Sequence, residues 1–126
     1  MVRFVCRLEY RSTISPHHLR SLGWMSVSNR VRYFKLILAF KIRNGQAPSY
    51  LCDSFQNFSS VHRYNTRGSQ SNYLVSKEDT ASSVMMNSFT YTTKREWNSL
   101  PGVLKKITKL SNFKSKLRQF LMDTQQ

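Results

Sequence analysis

Apolar residues recur at three- and four-residue spacing most clearly between Ser26 and Gly45. Val27, Val31, Phe34, Leu38 and Ile42 share one face there, the signature of an amphipathic helix. Ser26 is a good N-cap and Gly45 a good stop. Tyr33, Leu36 and Phe40 fall roughly opposite, so the helix is apolar on two sides and calls for partners on both. A second stripe, Phe113, Leu117, Phe120 and Leu121, marks a C-terminal helix with Ser111 as its expected cap. Lys114 and Arg118 lie side by side on its flank.

Shorter elements follow from punctuation. Ser15-Pro16 opens HHLRSL, which Gly23 ends. Ala47-Pro48 opens PSYLCDSF, and Ser99 and Pro101 open PGVLKKI. Residues 2 to 10 read two ways. Val2, Phe4, Cys6, Leu8 and Tyr10 alternate with Arg3, Arg7 and Glu9 as in a strand, whereas Arg3, Arg7 and Arg11 recur as on a helix. From Gln56 to Ser88 the chain is polar and rich in Ser and Asn, a long connection expected to be mobile. Asn72 to Val75 reads as a short strand, with a short β-hairpin as its expected setting. Phe89 and Tyr91 then lead towards Trp97. The expected fold is mainly α, small and irregular. Residues 1–55 form a helical segment, 56–88 the connection, and 89–126 a Trp-anchored turn with the C-terminal helix.

Charge changes the picture most. The 126 residues hold 20 Lys and Arg against 6 Asp and Glu, a net charge of +14. No acid occurs from Tyr10 to Cys52 or from Trp97 to Met122. Basic stretches without internal acidic partners attract polyanions, and such binding falls steeply with salt. The ordinary alternative is a solvated surface, with an anionic membrane surface behind it.

Candidate chemistry is sparse. Polymerases and nucleases that use divalent ions need clustered carboxylates. Here Glu9, Asp53, Glu78, Asp79, Glu96 and Asp123 are scattered, and only Glu78-Asp79 is an adjacent pair. Cys6, His17, His18, Cys52 and His62 match no zinc spacing, so neither metal nor cofactor is expected. His17 and His18 read as exposed polar residues at the start of a short helix. Two cysteines make no disulfide framework, and no segment reads as a signal core or a membrane span. An intracellular protein of nucleus or cytoplasm is the expectation.

Several stretches together carry a resemblance. HLRSLGWMSVSNRVRYFKL is followed by NGQAPSYL, HRYNTR, WNSLP and FKSKL. This ordered series resembles the extreme C-terminal region of reverse transcriptases from jockey-like non-LTR retrotransposons, over nearly the whole chain. In that family the catalytic aspartates lie in the palm, upstream of the matched region. The resemblance therefore implies a truncated, non-catalytic tail of an RNA-directed DNA polymerase whose upstream domain is missing. It lacks the zinc knuckle of some relatives. It also implies a helix over residues 2 to 10, and a missing domain covering one face of the two-sided helix.

Trp97, with Leu100 and Pro101 beside it, reads as a packing anchor rather than a stacking platform, because its neighbours are apolar and Leu-Pro fixes the local geometry. Trp24 reads the same way. Tyr64 between Arg63 and Arg67 suits base stacking with phosphate pairing. Arg30, Lys35, Arg43, Arg63, Arg67, Lys105, Lys106, Lys114 and Arg118 are the expected phosphate contacts, with RNA or single-stranded DNA as partner. The rival from another class is a protein-interaction fragment that docks its apolar helix faces, its charge being incidental.

Overall fold

The computed structural model describes residues 1–55, 73–74 and 83–124. In order, α1 is Val2–Val5, α2 Pro16–Ser21, α3 Val27–Arg43, α4 Ser49–Ser54, α5 Ser83–Met86, α6 Phe89–Asn98, α7 Gly102–Lys105 and α8 Leu110–Asp123. The fold is mainly α, and no strand occurs among the described residues.

The long helix α3 organises everything else. Ser26 Oγ accepts the Asn29 N–H at 3.3 Å and caps it. At the other end Gly45 takes φ +67, a left-handed turn that suits glycine, and the Gln46 N–H returns to Lys41 O at 2.8 Å. Leu36, Ile37, Ala39, Phe40 and Ile42 are buried against α6 and α8. The packing selects between the two apolar sides, with Ile42 of the other side also buried near the C-terminal end. The side with Leu36 and Phe40 enters the core, while Val27, Val31 and Phe34 stay 80%, 50% and 56% exposed. A helix apolar on two sides does not itself say which side its own chain will cover.

The packing of α8 on α3 is antiparallel. The Asn29 amide donates to Leu121 O at 2.9 Å near the end of α8, and Phe40 stacks on Phe113 at 4.5 Å near its start. Phe113, Leu117 and Leu121 are fully buried, as their stripe predicts. The cap differs. Lys109 is the N-cap and makes no side-chain cap bond, so Ser111 lies inside the first turn.

A third layer is α6, a helix absent from the periodicity reading. Thr90, Thr92 and Thr93 disguise it, since β-branched residues favour strands. Its signal was local: Ser88 Oγ accepts the Tyr91 N–H at 3.3 Å. Phe89, Thr93 and Trp97 also recur at every fourth position. Trp97 is fully buried, with its ring 5.8 Å from Phe113. Burying an aromatic of this size contributes about 2–3 kcal/mol. Leu100 and Leu104 close the same core, and Pro101 is exposed.

The expected helix over residues 2 to 10 ends at Val5. Arg7 adopts φ 50, which breaks the helix, and no residue of α1 is buried to repay its extension. His18 differs from the exposed residue expected. It is half-buried, and its Nδ1 accepts the Ser15 N–H at 3.2 Å across the first turn of α2. Of the expected strand and β-hairpin at Asn72 to Val75, only Tyr73 and Leu74 are described. The buried Leu74 pairs with a side chain: its N–H donates to Asn98 Oδ1 and its carbonyl accepts from Asn98 Nδ2, both at 2.9 Å. The remainder of the 56–88 connection lies outside the described residues up to residue 82. No described helix is long and apolar enough to cross a membrane.

Candidate nucleic-acid interface

The basic residues divide by what α6 and α7 do to them. Lys105 is expected on the surface but is only 3% exposed. Its Nζ donates to Asn98 O at 2.7 Å and sits 4.0 Å from the centre of the Tyr73 ring. Burial pushes its ammonium below the ordinary lysine range. Arg43 is half-buried: its guanidinium donates to Lys105 O at 2.8 Å and lies 5.8 Å from the Trp97 ring. Desolvation lowers its pKa as well. Lys35 is half-buried, 3.3 Å from Thr92 Oγ1 and 3.9 Å from a Glu96 carboxylate oxygen. These three cations are engaged inside the fold, and the structure removes Lys105 and Arg43 from the exposed surface. The cause is tertiary: a carbonyl from α6, a carbonyl from α7 and an aromatic ring close over stems that sequence alone leaves free.

Arg32 shares Glu96 with Lys35, at 3.9 Å. Among the described residues Glu96 is the only carboxylate in an ion pair. No three His, Cys, Asp or Glu side chains gather among the described residues. Arg30, Lys106, Lys114 and Arg118 are exposed and make no ion pair there. Arg63, Tyr64 and Arg67 lie outside the described residues.

The free cations form separate patches. A helical period places Lys114 and Arg118 on one flank of α8 and Lys109 and Lys116 on the opposite flank of its buried stripe. Beside the first flank is a cavity of ≈ 520 Å³ lined by Gly23, Trp24, Tyr33, Phe34, Arg30 and Arg118. Trp24 contrasts with the packing anchor expected: it remains 40% exposed at this cavity. Beside the second flank is a shallower cleft of ≈ 320 Å³, where Lys106, Lys109 and Lys116 meet Thr108 and Asn112. Lys109 and Lys116 were not among the expected contacts. Their seven-residue separation, two helical turns, is the signal that could have found them.

Chemically, the two patches can pair phosphates and, at the first, stack a ring. Searches for matching family models, curated proteins and solved structures find none for this chain.

Proposed function

We propose that this chain binds RNA or single-stranded DNA without sequence preference, as a non-catalytic C-terminal part of a retrotransposon reverse transcriptase, the family it resembles. The observation that carries the binding reading is the set of exposed cations without carboxylate partners among the described residues: Arg30, Lys106, Lys114 and Arg118, joined by Lys109 and Lys116. A polyanion exchanges its condensed counterions for such side chains, and affinity follows. The role in a parent enzyme would be to hold template or target near an active site supplied by the upstream palm; this part of the reading is analogy.

Titrating a labelled single strand at two salt concentrations tests it. Binding that weakens as salt rises is expected, and absent or salt-insensitive binding rejects it. Nucleotide incorporation on a primer-template with magnesium would overturn the non-catalytic part.

A second reading rests on the exposed side of α3. Val27, Val31 and Phe34 would seek a protein partner, with charge incidental. It predicts association that persists in high salt and is lost in Val31→Asp.

A further inference from the structure

We infer that the cavity between the α2–α3 junction and the flank of α8 holds one unstacked nucleobase, with the adjoining phosphate on Arg30 and Arg118. The inference rests on the strand-binding reading and deepens it by naming a base subsite.

The sequence explains how the cavity arises. Gly23 takes φ +65 after α2, and the Trp24 N–H returns to Leu19 O at 2.8 Å, closing the turn. That turn sets the indole beside the first turns of α3. There Tyr33 and Phe34 meet edge to face, with ring centres 5.5 Å apart. Phe34 is 56% exposed although its neighbours on the core side are buried. Three aromatic side chains therefore reach one cavity, and the other apolar contributors are Met1 and Met25.

Its volume of ≈ 520 Å³ falls within the ~300–1,000 Å³ usual for small-molecule sites, enough for a base and its sugar. Two guanidiniums flank the rings. Arg30 lies 6.0 Å from the centre of Phe34. Arg118 donates to Gly23 O at 3.4 Å, a long bond from one of its five N–H donors. Among the described residues neither makes an ion pair and no carboxylate lines the cavity.

Aromatic faces with planar cations at the rim match a base joined to a phosphate. Stacking is tolerant of sequence, and guanidinium pairs phosphate through two parallel bonds. A peptide side chain would satisfy the rings but would need its own acid to satisfy the arginines.

The test uses the full chain and three probes: adenosine monophosphate, inorganic phosphate, and an oligothymidylate carrying one 2-aminopurine. Indole N–H signals separate the two tryptophans, and the buried Trp97 serves as internal reference. Adenosine monophosphate should shift Trp24 and leave Trp97 in place, and inorganic phosphate should not reproduce the shift. Trp24→Ala should weaken strand binding about tenfold and abolish aminopurine quenching, whereas Trp24→Phe should stay within about threefold of the parent. Phe34→Ala, at an exposed position, gives a second variant that leaves the core intact.

Strand binding with a normal salt dependence, but with Trp24 unmoved and both alanine variants unaffected, overturns the base subsite and leaves the binding reading standing. A Trp24 shift by the mononucleotide without any strand binding supports the subsite and rejects the wider reading. An equal shift by inorganic phosphate, or tighter binding of an acidic, Phe-containing peptide than of the mononucleotide, overturns the inference.

Discussion

Thr93 brings a hydroxyl into a fully buried position on α6, and its Oγ1 has no hydrogen-bond partner among the described residues. A buried hydroxyl without a partner costs about 1–3 kcal/mol. Thr93→Val keeps the branched shape and removes that cost, so it should stabilise the fold by about 1 kcal/mol in urea denaturation. Lys105 poses the opposite problem, a charge whose burial is only partly offset by Asn98 O and the Tyr73 ring. Its folded pKa is lowered by desolvation. Between that lowered value and the ordinary one near ~10.4, the unfolded chain holds a proton that the folded chain has released. Stability from this group therefore rises as pH climbs through that window and is flat below it. Lys94, whose pKa is also lowered by burial, acts with the same sign. In Lys105→Met the pH-dependent gain should shrink, and denaturation midpoints at pH 8 and pH 10 for both proteins measure the difference.

At the scale of elements, α6 links two parts of the molecule through consecutive residues. Trp97 turns into the core, and Asn98 holds both backbone polar groups of Leu74. Asn98→Ala strips partners from a buried N–H and a buried C=O, at about 1–3 kcal/mol for each group left unsatisfied. Global stability should fall by about 2 kcal/mol, and exchange of the Leu74 amide should rise further than that of the α3 amides. Local rules made some of this architecture legible. Ser26 and Gly45 bracket α3, Ser15-Pro16 starts α2, and the Phe113–Leu117–Leu121 stripe of α8 is buried as its spacing implies. Features that depend on partners distant in sequence were not legible. The core side of α3 depends on where α6 and α8 dock. The threonines of α6 hide a helix that Trp97 packing sustains. Lys114 and Arg118 on one flank follow from helical period alone, whereas the fate of Arg43 and Lys105 needs the α6–α7 corner.

For the whole molecule, salt should act with opposite signs on stability and on binding. A net charge of +14 repels itself in the compact state, and screening relieves that repulsion. The midpoint of thermal unfolding should therefore rise between 50 and 300 mM salt in the absence of ligand. Strand affinity should fall over the same range, because releasing each condensed counterion into a more concentrated solution gains less free energy. If Arg30, Lys106, Lys114 and Arg118 each neutralise one phosphate, the slope of log affinity against log salt is about −0.7 per contact, or about −3 in total. That corresponds to roughly a fifty-fold loss between 50 and 200 mM. The variants separate surface from interior. Lys114→Ala with Arg118→Ala should make the slope shallower by about 1.4 while leaving the fold intact, since both side chains are exposed. Lys105→Met, at a side chain engaged inside the fold, should alter stability and leave the slope unchanged. A slope that responds to Lys105→Met but not to the α8 pair would place the phosphates elsewhere on the molecule and refute the surface assigned to them.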